Sequence, residues 1–586
     1  MKYSVSPAAD SVTNVDLSHN HITTLDFNQV VVVHNTECII GDKHHVEISP
    51  FIRLAPLAVP TFGNFNLKLV TFFVPFYQVH KDFDSFVTGQ YTRGGVSTNL
   101  PTLNLIPFYQ QFNPNRNSSS DAVDVASSSA AHDFVIYEGS DVVRYISLGP
   151  RTRVVYNLMS VLGYPANSIN ARTGSSPYVL NALQILCFLK AFNDWMSLAS
   201  IYNNSALSTF LANPFTTSNS KEVDPAKLFS VLCEYVLPLI GSDYFTSAFN
   251  FAVAAGGEGS SNLPSTQLPK GFFDTLRNTS VGNDLNTNSG SNSNYVSIGS
   301  ASSLSQYSLN FLRSFDKFVR RNELAGTRPA QRIYARFGLK SEDFRSNYAH
   351  IVNTGTIPFN VGDVTATAAN ADPALGLGTY AGQSVATGKY SFDYQCDDYG
   401  MLFTFAFVEV QAAYKYAVSP TNLRSAALDF YQPEFDGVGL QPISRAQLYT
   451  NTKLVNGSLP TSNLNSIFGF VPRYEEYRTQ PDRVGGDFRL FDTMDTWHFA
   501  RDLDNHVSSS SLIPQSNNFQ FVGNEFDRIF TSDINGDSGT QYDHFFSVFN
   551  IKHDALRHMK TRAGSVDFKD GGVQLESLGK SVNGVG

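Results

Sequence analysis

Two short runs, NLKLVTFFV at 66–74 and MLFTFAFVEVQA at 401–412, are dense in Phe and Val, are bounded by turn-forming residues and read as buried strands. Hiding such strands takes a large apolar core. The 586 residues are enough for three or four ordinary domains or one large elaborated unit. Aromatic residues make up 13%, with 47 Phe and 27 Tyr but 2 Trp, a bias that favours strands and flat packing surfaces over helical bundles. Charged residues reach only 16%, against about 25% in an average chain, which excludes a self-repelling disordered polymer. The expectation is a mainly β fold.

Helices are expected between the two runs. Ser176-Pro177 supplies a cap and a first-turn proline for a helix over 178–196, and Asp224-Pro225 does the same for 226–240. A third helix is expected from near Leu304, with Phe311, Leu312, Phe315, Phe318 and Val319 at helical spacing. Ser-, Gly- and Asn-rich segments at 114–131, 253–303 and 361–389 read as long surface loops. The most apolar stretch, Tyr178 to Leu189, is too short for a membrane span, and the N-terminal MKYSVSPAAD lacks a signal-peptide core, so neither membrane insertion nor export is expected. Cys38, Cys187, Cys233 and Cys396 lie far apart without CxxC spacing, suggesting neither a zinc ribbon nor a disulfide scaffold and fitting a reducing compartment.

Catalytic signatures are missing: there is no GxSxG elbow, Walker loop, GxGxxG or HExxH. His44, His45 and Glu47 stand close together, but neighbours on a strand point to opposite faces and would not converge on one metal. Asp533, Asn535 and Asp537 alternate like the start of a calcium loop. The glycine comes at the fourth place instead of the sixth, and His544 stands where the closing Glu belongs. A polar turn is therefore expected, with a structural Ca²⁺ as the alternative and no other cofactor. His553, Asp554 and His558 come without a nucleophile and read as a solvated basic face.

The net charge of −9 argues against a surface that holds nucleic acid everywhere. Two segments oppose it. Arg328, Arg332 and Arg336 recur every four residues, which on a helix gives one face, with Tyr334 and Phe337 nearby for stacking on unpaired bases. Lys552, Arg557, Lys560 and Arg562 form the second group. Both could face phosphates; a salt-bridged helix at a subunit interface is an equal reading of the first.

LSHNHITTLDFNQ at 17–29 and the run from Ile40 to Gly89 resemble the opening of the major capsid protein of the Microviridae, small icosahedral phages with circular single-stranded DNA. Ser18, His19, Thr23, Thr24, Gly41, Asp42, Arg53, Phe73, Val74, Pro75 and Gly89 stand at matching places. DYFTS at 243–247, the helix at 308–323, Gly326-Thr327-Arg328, and the blocks at 335–361, 429–443, 467–489 and 495–503 resemble the gokushovirus-like branch in collinear order. A proline-rich tail in that pattern is replaced here by the sequence from Lys552 to Gly586.

The resemblance implies an eight-stranded viral jelly roll with long, partly helical interstrand insertions. Residues 1–112 would supply the N-terminal strands, 113–345 the insertions with a protruding loop near 248–303, and 346–586 the remaining strands and a basic C-terminal segment. It also implies a structural, non-enzymatic role. Copies of the chain would close into a small T=1 shell around the single-stranded DNA genome, in the virion, after synthesis and assembly in the host cytoplasm. A small basic DNA-packaging protein, minor pilot or spike proteins and a host receptor reached by exposed loops would be its partners. The rival class is a secreted or cell-surface β-rich carbohydrate-binding or adhesin-like protein, which shares the aromatics and polar loops but needs an export signal. A glycoside hydrolase needs two carboxylates across a cleft, and adjacent pairs such as Glu475 and Glu476 do not suggest that geometry.

Overall fold

A computed structural model describes, with short interruptions, residues 13–87, 100–111, 134–164, 179–196, 205–233, 243–245, 348–362, 383–447, 467–501, 526–530 and 543–557. Short strands at 122–124, 169–170, 263–264, 285–287 and 295–298, and residue 338, are also described. Ten strands build the core: β1 (Thr13–Asp16), β2 (His19–Leu25), β3 (Val31–Cys38), β4 (Lys43–Leu54), β5 (Phe65–Pro75), β6 (His350–Pro358), β7 (Gln383–Thr387), β8 (Tyr390–Gln395), β9 (Gly400–Val410) and β10 (Phe545–Arg557).

They form two antiparallel sheets. In sheet 1, β10 lies between the N-terminal pair β1 and β2 on one side and β4 on the other, and β4 carries β7 and β8 on its far edge. In sheet 2 the order is β3, β9, β5, β6. Successive strands cross between sheets except β5 and β6, which are neighbours in sheet 2, and with β1–β2 and β7–β8 each counted as one broken strand there are eight, in the order of a jelly roll. The expected β-rich sandwich is what the chain adopts.

Alternation along β4 and β10 explains sheet 1. His44, Val46, Ile48, Pro50, Ile52 and Leu54 point inward on β4, while Phe545, Ser547, Phe549, Ile551, His553 and Ala555 do so on β10. They meet Leu67, Leu69 and Phe73 of β5 and Leu402, Ala406 and Val408 of β9 across the sandwich. The two Phe/Val runs pair directly, Leu69 opposite Ala406, and are buried on both faces of sheet 2. That is why their apolar runs are nearly continuous instead of alternating.

The second face of sheet 2 is covered by insertions. Phe72, Val74, Phe403, Phe405 and Phe407 pack into a second core with α1 (Pro150–Val161), α2 (Leu183–Ala191), α3 (Ser205–Ala212) and α4 (Pro225–Val231). The rings of Phe188 on α2 and Phe405 on β9 lie 5.1 Å apart. Each such side chain contributes about 1.5–3 kcal/mol when fully withdrawn from water. The layers are therefore helices, sheet 2 and sheet 1.

Local chemistry corrects some expectations. Val179–Asn181 forms a short strand against Thr102–Asn104, so the helix expected from 178 begins only at Leu183, whose N–H donates to Asn181 Oδ1 at 2.9 Å. Strand pairing outcompetes the first turn there, and Ser176-Pro177 lies outside the described residues. At α4 the expected cap is present: Asp224 Oδ1 accepts from the N–H groups of Ala226 at 3.1 Å and Lys227 at 3.3 Å. The expected helix at 308–323 lies outside the described residues. Parts of the predicted loops carry strands: Leu285–Thr287 pairs with Tyr295–Ile298, and β7, read as the end of the 361–389 loop, joins β4 in sheet 1. A partner edge supplied from far away in sequence decides those segments, which composition does not register. No helix among the described residues is long and apolar enough to cross a membrane.

Candidate functional site

Sheet 2 is covered by the chain's own helices, whereas among the described residues no element packs on the outer face of sheet 1. Strand alternation puts Ile22 on β2, Phe51 and Arg53 on β4, and Phe546, Val548 and Lys552 on β10 there. Ile22 is 77% exposed, Phe546 49% and Phe51 38%. The Arg53 guanidinium carbon lies 5.2 Å from the Phe51 ring centroid. Polar pairs rim this apolar centre: Lys389 Nζ is 2.8 Å from Glu47 Oε2, and His45 Nδ1 is 2.6 Å from Asp393 Oδ1. The surface is flat and mixed, with large apolar side chains in its middle, a composition suited to docking another macromolecule.

The basic candidates divide. Lys552 is exposed on this face, opposite Glu47 in the strand register. Arg557, at the end of β10, turns back into the fold: its Nε is 3.1 Å from Asp42 Oδ2, and its Nη2 donates to the Glu37 carbonyl at 2.8 Å. Arg328, Arg332, Arg336, Lys560 and Arg562 lie outside the described residues, as do His558 and the calcium candidates Asp533, Asn535 and Asp537.

His553 corrects the reading of a solvated basic face. It sits at an inward position of β10 and is 1% exposed, because the period-2 alternation that turns Lys552 and Asp554 outward turns it inward. Its Nε2 is 2.9 Å from His44 Nδ1, and its Nδ1 is 3.2 Å from His34 Nε2. Burial above all, with neighbouring positive charge added, pulls His44 and His553 down to about 4, and His34 is also held well below the ordinary imidazole range. The three rings are a neutral relay inside the sandwich.

At one end of this relay, Cys38 and Cys396 approach His44. One donor atom from each lies within 4.8 Å of the other two, and all three residues are buried. Reciprocal backbone bonds fix the frame: Gly41 N–H donates to the Cys396 carbonyl and Cys396 N–H to the Asp42 carbonyl, both at 2.8 Å. A hydrogen bond from its own thiol to Cys396, together with burial, holds Cys38 well above its usual value. His44 and His45 diverge, as alternation predicts, and the cysteine grouping is what sequence spacing missed. A half-signal existed in Cys38, Asp42 and His44 flanking one tight turn.

A second buried cluster joins chain segments distant in sequence. His544 Nδ1 lies 3.3 Å from Asp26 Oδ1 and 3.7 Å from Asp527 Oδ1, and its ring stacks on Phe530 at 4.1 Å between centroids. Burial is the main cause raising the Asp26 carboxyl above its ordinary value. A third grouping stands at the base of the predicted protruding loop. Tyr414 donates to Asp243 Oδ2 at 2.6 Å, Arg501 Nη1 donates to the Tyr414 hydroxyl at 3.1 Å, and the Phe245 ring packs 4.6 Å from that of Tyr414. These contacts tie the 243–245 block to the strands around it, while most of 248–303 lies outside the described residues.

A family model described as capsid protein (F protein) matches residues 5–111 and 243–564. The interval between these stretches contains α1 to α4, the cover of sheet 2. The chain is 22% identical over 561 residues to the capsid protein VP1 of Chlamydia phage 1, covering 86% of this chain and 89% of the relative. It is 26% identical over 196 residues to the capsid protein VP1 of Bdellovibrio phage phiMH2K, covering 33% of this chain and 35% of that relative.

Proposed function

Given that the chain belongs to the capsid protein (F protein) family and is a Microviridae major capsid protein with a structural role in the virion, we propose that its copies close into a T=1 icosahedral shell around circular single-stranded DNA and contribute to host attachment. The observation that carries the assembly reading is the asymmetry of the sandwich. One sheet is capped by the subunit's own helices, and the other leaves Ile22, Phe51 and Phe546 open for a macromolecular contact. Closed symmetry lets modest contacts of this kind accumulate.

The acidic subunit needs local cations to hold phosphates. Lys552 is the better candidate of the two basic residues on β10, because Arg557 is engaged by Asp42. Arg328, Arg332, Arg336, Lys560 and Arg562 remain candidates with it, and a small basic packaging protein supplies the rest of the neutralising charge. Minor pilot or spike proteins complete the particle, which assembles in the host cytoplasm. The 248–303 excursion, rooted at Asp243 and Phe245, is the segment assigned to receptor contact.

Electron microscopy of the purified chain and of particles tests the core of this reading. Closed shells of uniform size are expected; glycan-binding monomers that never form shells would overturn it. Replacing Arg332 and Arg336 by Gln is expected to reduce DNA-filled particles more than empty ones, and equal loss of both would assign these arginines to an interface. Deleting 256–300 is expected to leave shells that adsorb poorly to host cells.

A further inference from the structure

We infer that Cys38, Cys396 and His44 form a structural binding site for a thiophilic divalent cation, zinc foremost, with the neighbouring Asp42 carboxylate drawn in as the fourth ligand when the ion binds. The donor set is the first argument: two thiols and an imidazole form the soft combination that zinc takes in closed, four-coordinate sites. Their donor atoms already lie within 4.8 Å of one another, and ligands of one tetrahedral zinc stand about 3.3–3.8 Å apart given the usual bond lengths. Asp42 Oδ2 is 3.6 Å from His44 Nε2, a separation that two ligands of the same ion show.

His44 supplies an independent observation. Its side chain is completely buried, yet Nε2 has no hydrogen-bond partner. A ring nitrogen of His44 lies within 4.8 Å of both sulfurs. Of the two nitrogens, Nδ1 is already committed to His553 Nε2 at 2.9 Å. If Nδ1 carries the proton, His44 donates to His553, His553 donates through Nδ1 to His34 Nε2, and His44 Nε2 is left with a bare lone pair. A metal-ligating histidine is oriented in just this way by a partner on its second nitrogen.

The frame is rigid and the charge balances. Cys38 ends β3 in sheet 2, His44 begins β4 in sheet 1, and Cys396 follows β8, so the ion would join the two sheets at one corner. Binding releases one proton from each thiol and forms two metal–thiolate bonds without any redox change. Two thiolates neutralise the divalent ion, and the Asp42 carboxylate keeps its Arg557 counter-ion at 3.1 Å. The local net charge is therefore the same with and without metal.

Metal analysis of the full-length chain, purified without chelator and dialysed against trace zinc, tests the site. About one zinc per chain is expected for the native protein and for His45→Asn, whose ring points to solvent, with at least tenfold less in Cys38→Ser, Cys396→Ser and His44→Asn. Because core variants can misfold, two measurements use the native chain alone. Replacement of the zinc by Co²⁺ is expected to give the intense absorption of tetrahedral cobalt thiolate, and removal of zinc by a strong chelator is expected to lower the melting temperature by several degrees, reversibly on zinc return. A native chain that binds neither zinc nor cobalt, or that carries a Cys38–Cys396 disulfide in a non-reducing peptide map, would overturn the assignment.

Discussion

Lys415 Nζ donates to Asp495 Oδ1 across 2.6 Å, and the lysine side chain is fully buried while the aspartate keeps a narrow opening to solvent. The pair binds the segment after β9 to the 492–497 turn, below the Asp243–Tyr414–Arg501 group. Removing one partner of a buried pair strands the other charge. Asp495→Asn is therefore expected to lower unfolding stability by about 3 kcal/mol, more than Lys415→Met, because it keeps the buried ammonium but takes away the carboxylate charge facing it. Urea unfolding of the two variants checks the order.

Gly400 opens β9 beneath β5. A Cβ at this position would stand 2.5 Å from the Val74 carbonyl oxygen and 2.8 Å from the Phe73 ring. The backbone atom cannot swing away, so Gly400→Ala is expected to cost about 1–3 kcal/mol through overpacking. Gly485→Ala meets nothing within 4 Å and is expected to unfold with the native midpoint. Comparison of the two by chemical denaturation separates steric cost from the general effect of losing a glycine.

A short hydroxyl chain crosses the sandwich core. Tyr390 donates to the Asn353 carbonyl at 2.9 Å, so it accepts from Thr71 Oγ1 at 2.8 Å, and Thr71 accepts in turn from Thr404 Oγ1 at 3.0 Å. Thr71→Val removes the middle of the chain and is expected to cost about 1–3 kcal/mol by leaving a donor and an acceptor buried without partners. Thr404→Val, at the end, is expected to cost less. The double variant is expected to fall short of the sum, a coupling that a double-mutant cycle reads directly.

His498 carries an acid-sensitive contact. Its Nε2–H donates to the Phe488 carbonyl at 3.1 Å, leaving Nδ1 to accept from Ala500 N–H at 3.2 Å. Burial, the largest cause, holds its pKa below the ordinary 6.5; Arg528 and Lys415 also push down, while the Phe488 carbonyl and Asp495 pull up. The unfolded chain then binds the proton more readily, so the stabilisation is full above pH 6.5 and is lost as pH falls from there through the folded-state pKa. Each pH unit in that window costs up to about 1.4 kcal/mol for a single group of this kind. His498→Asn, whose Oδ1 can still accept from Ala500, is expected to flatten the decline of the urea midpoint between pH 7 and 5.

The strand core was legible because its signals are local. NLKLVTFFV and MLFTFAFVEVQA declare burial on both faces, and the alternation KHHVEISPFIRL declares a strand with one wet side. Asp224-Pro225 announced its helix by the same local logic, since cap and first turn are neighbours. β7 was lost in a low-complexity stretch because only its pairing with Phe51, Ile52 and Arg53 makes it a strand. The inward turn of His553 was visible in principle from the period of β10, but reading KHDALRHMKTR by charge hid that phase. Cys38 and Cys396 were the least legible: their meeting depends on β3 and β8 ending at the same corner, which no spacing within either segment encodes.

The position of β10 has a consequence for how a subunit is made. This strand fills the gap between β2 and β4 although nearly the entire chain separates it from both. During synthesis the twelve residues of β4 leave the ribosome with both edges unsatisfied; β7 and β8 can close one, and the other waits for Phe545–Arg557. Closure is a late, slow event governed by distant contacts. A truncated product that ends before Phe545 therefore has no finished sheet 1.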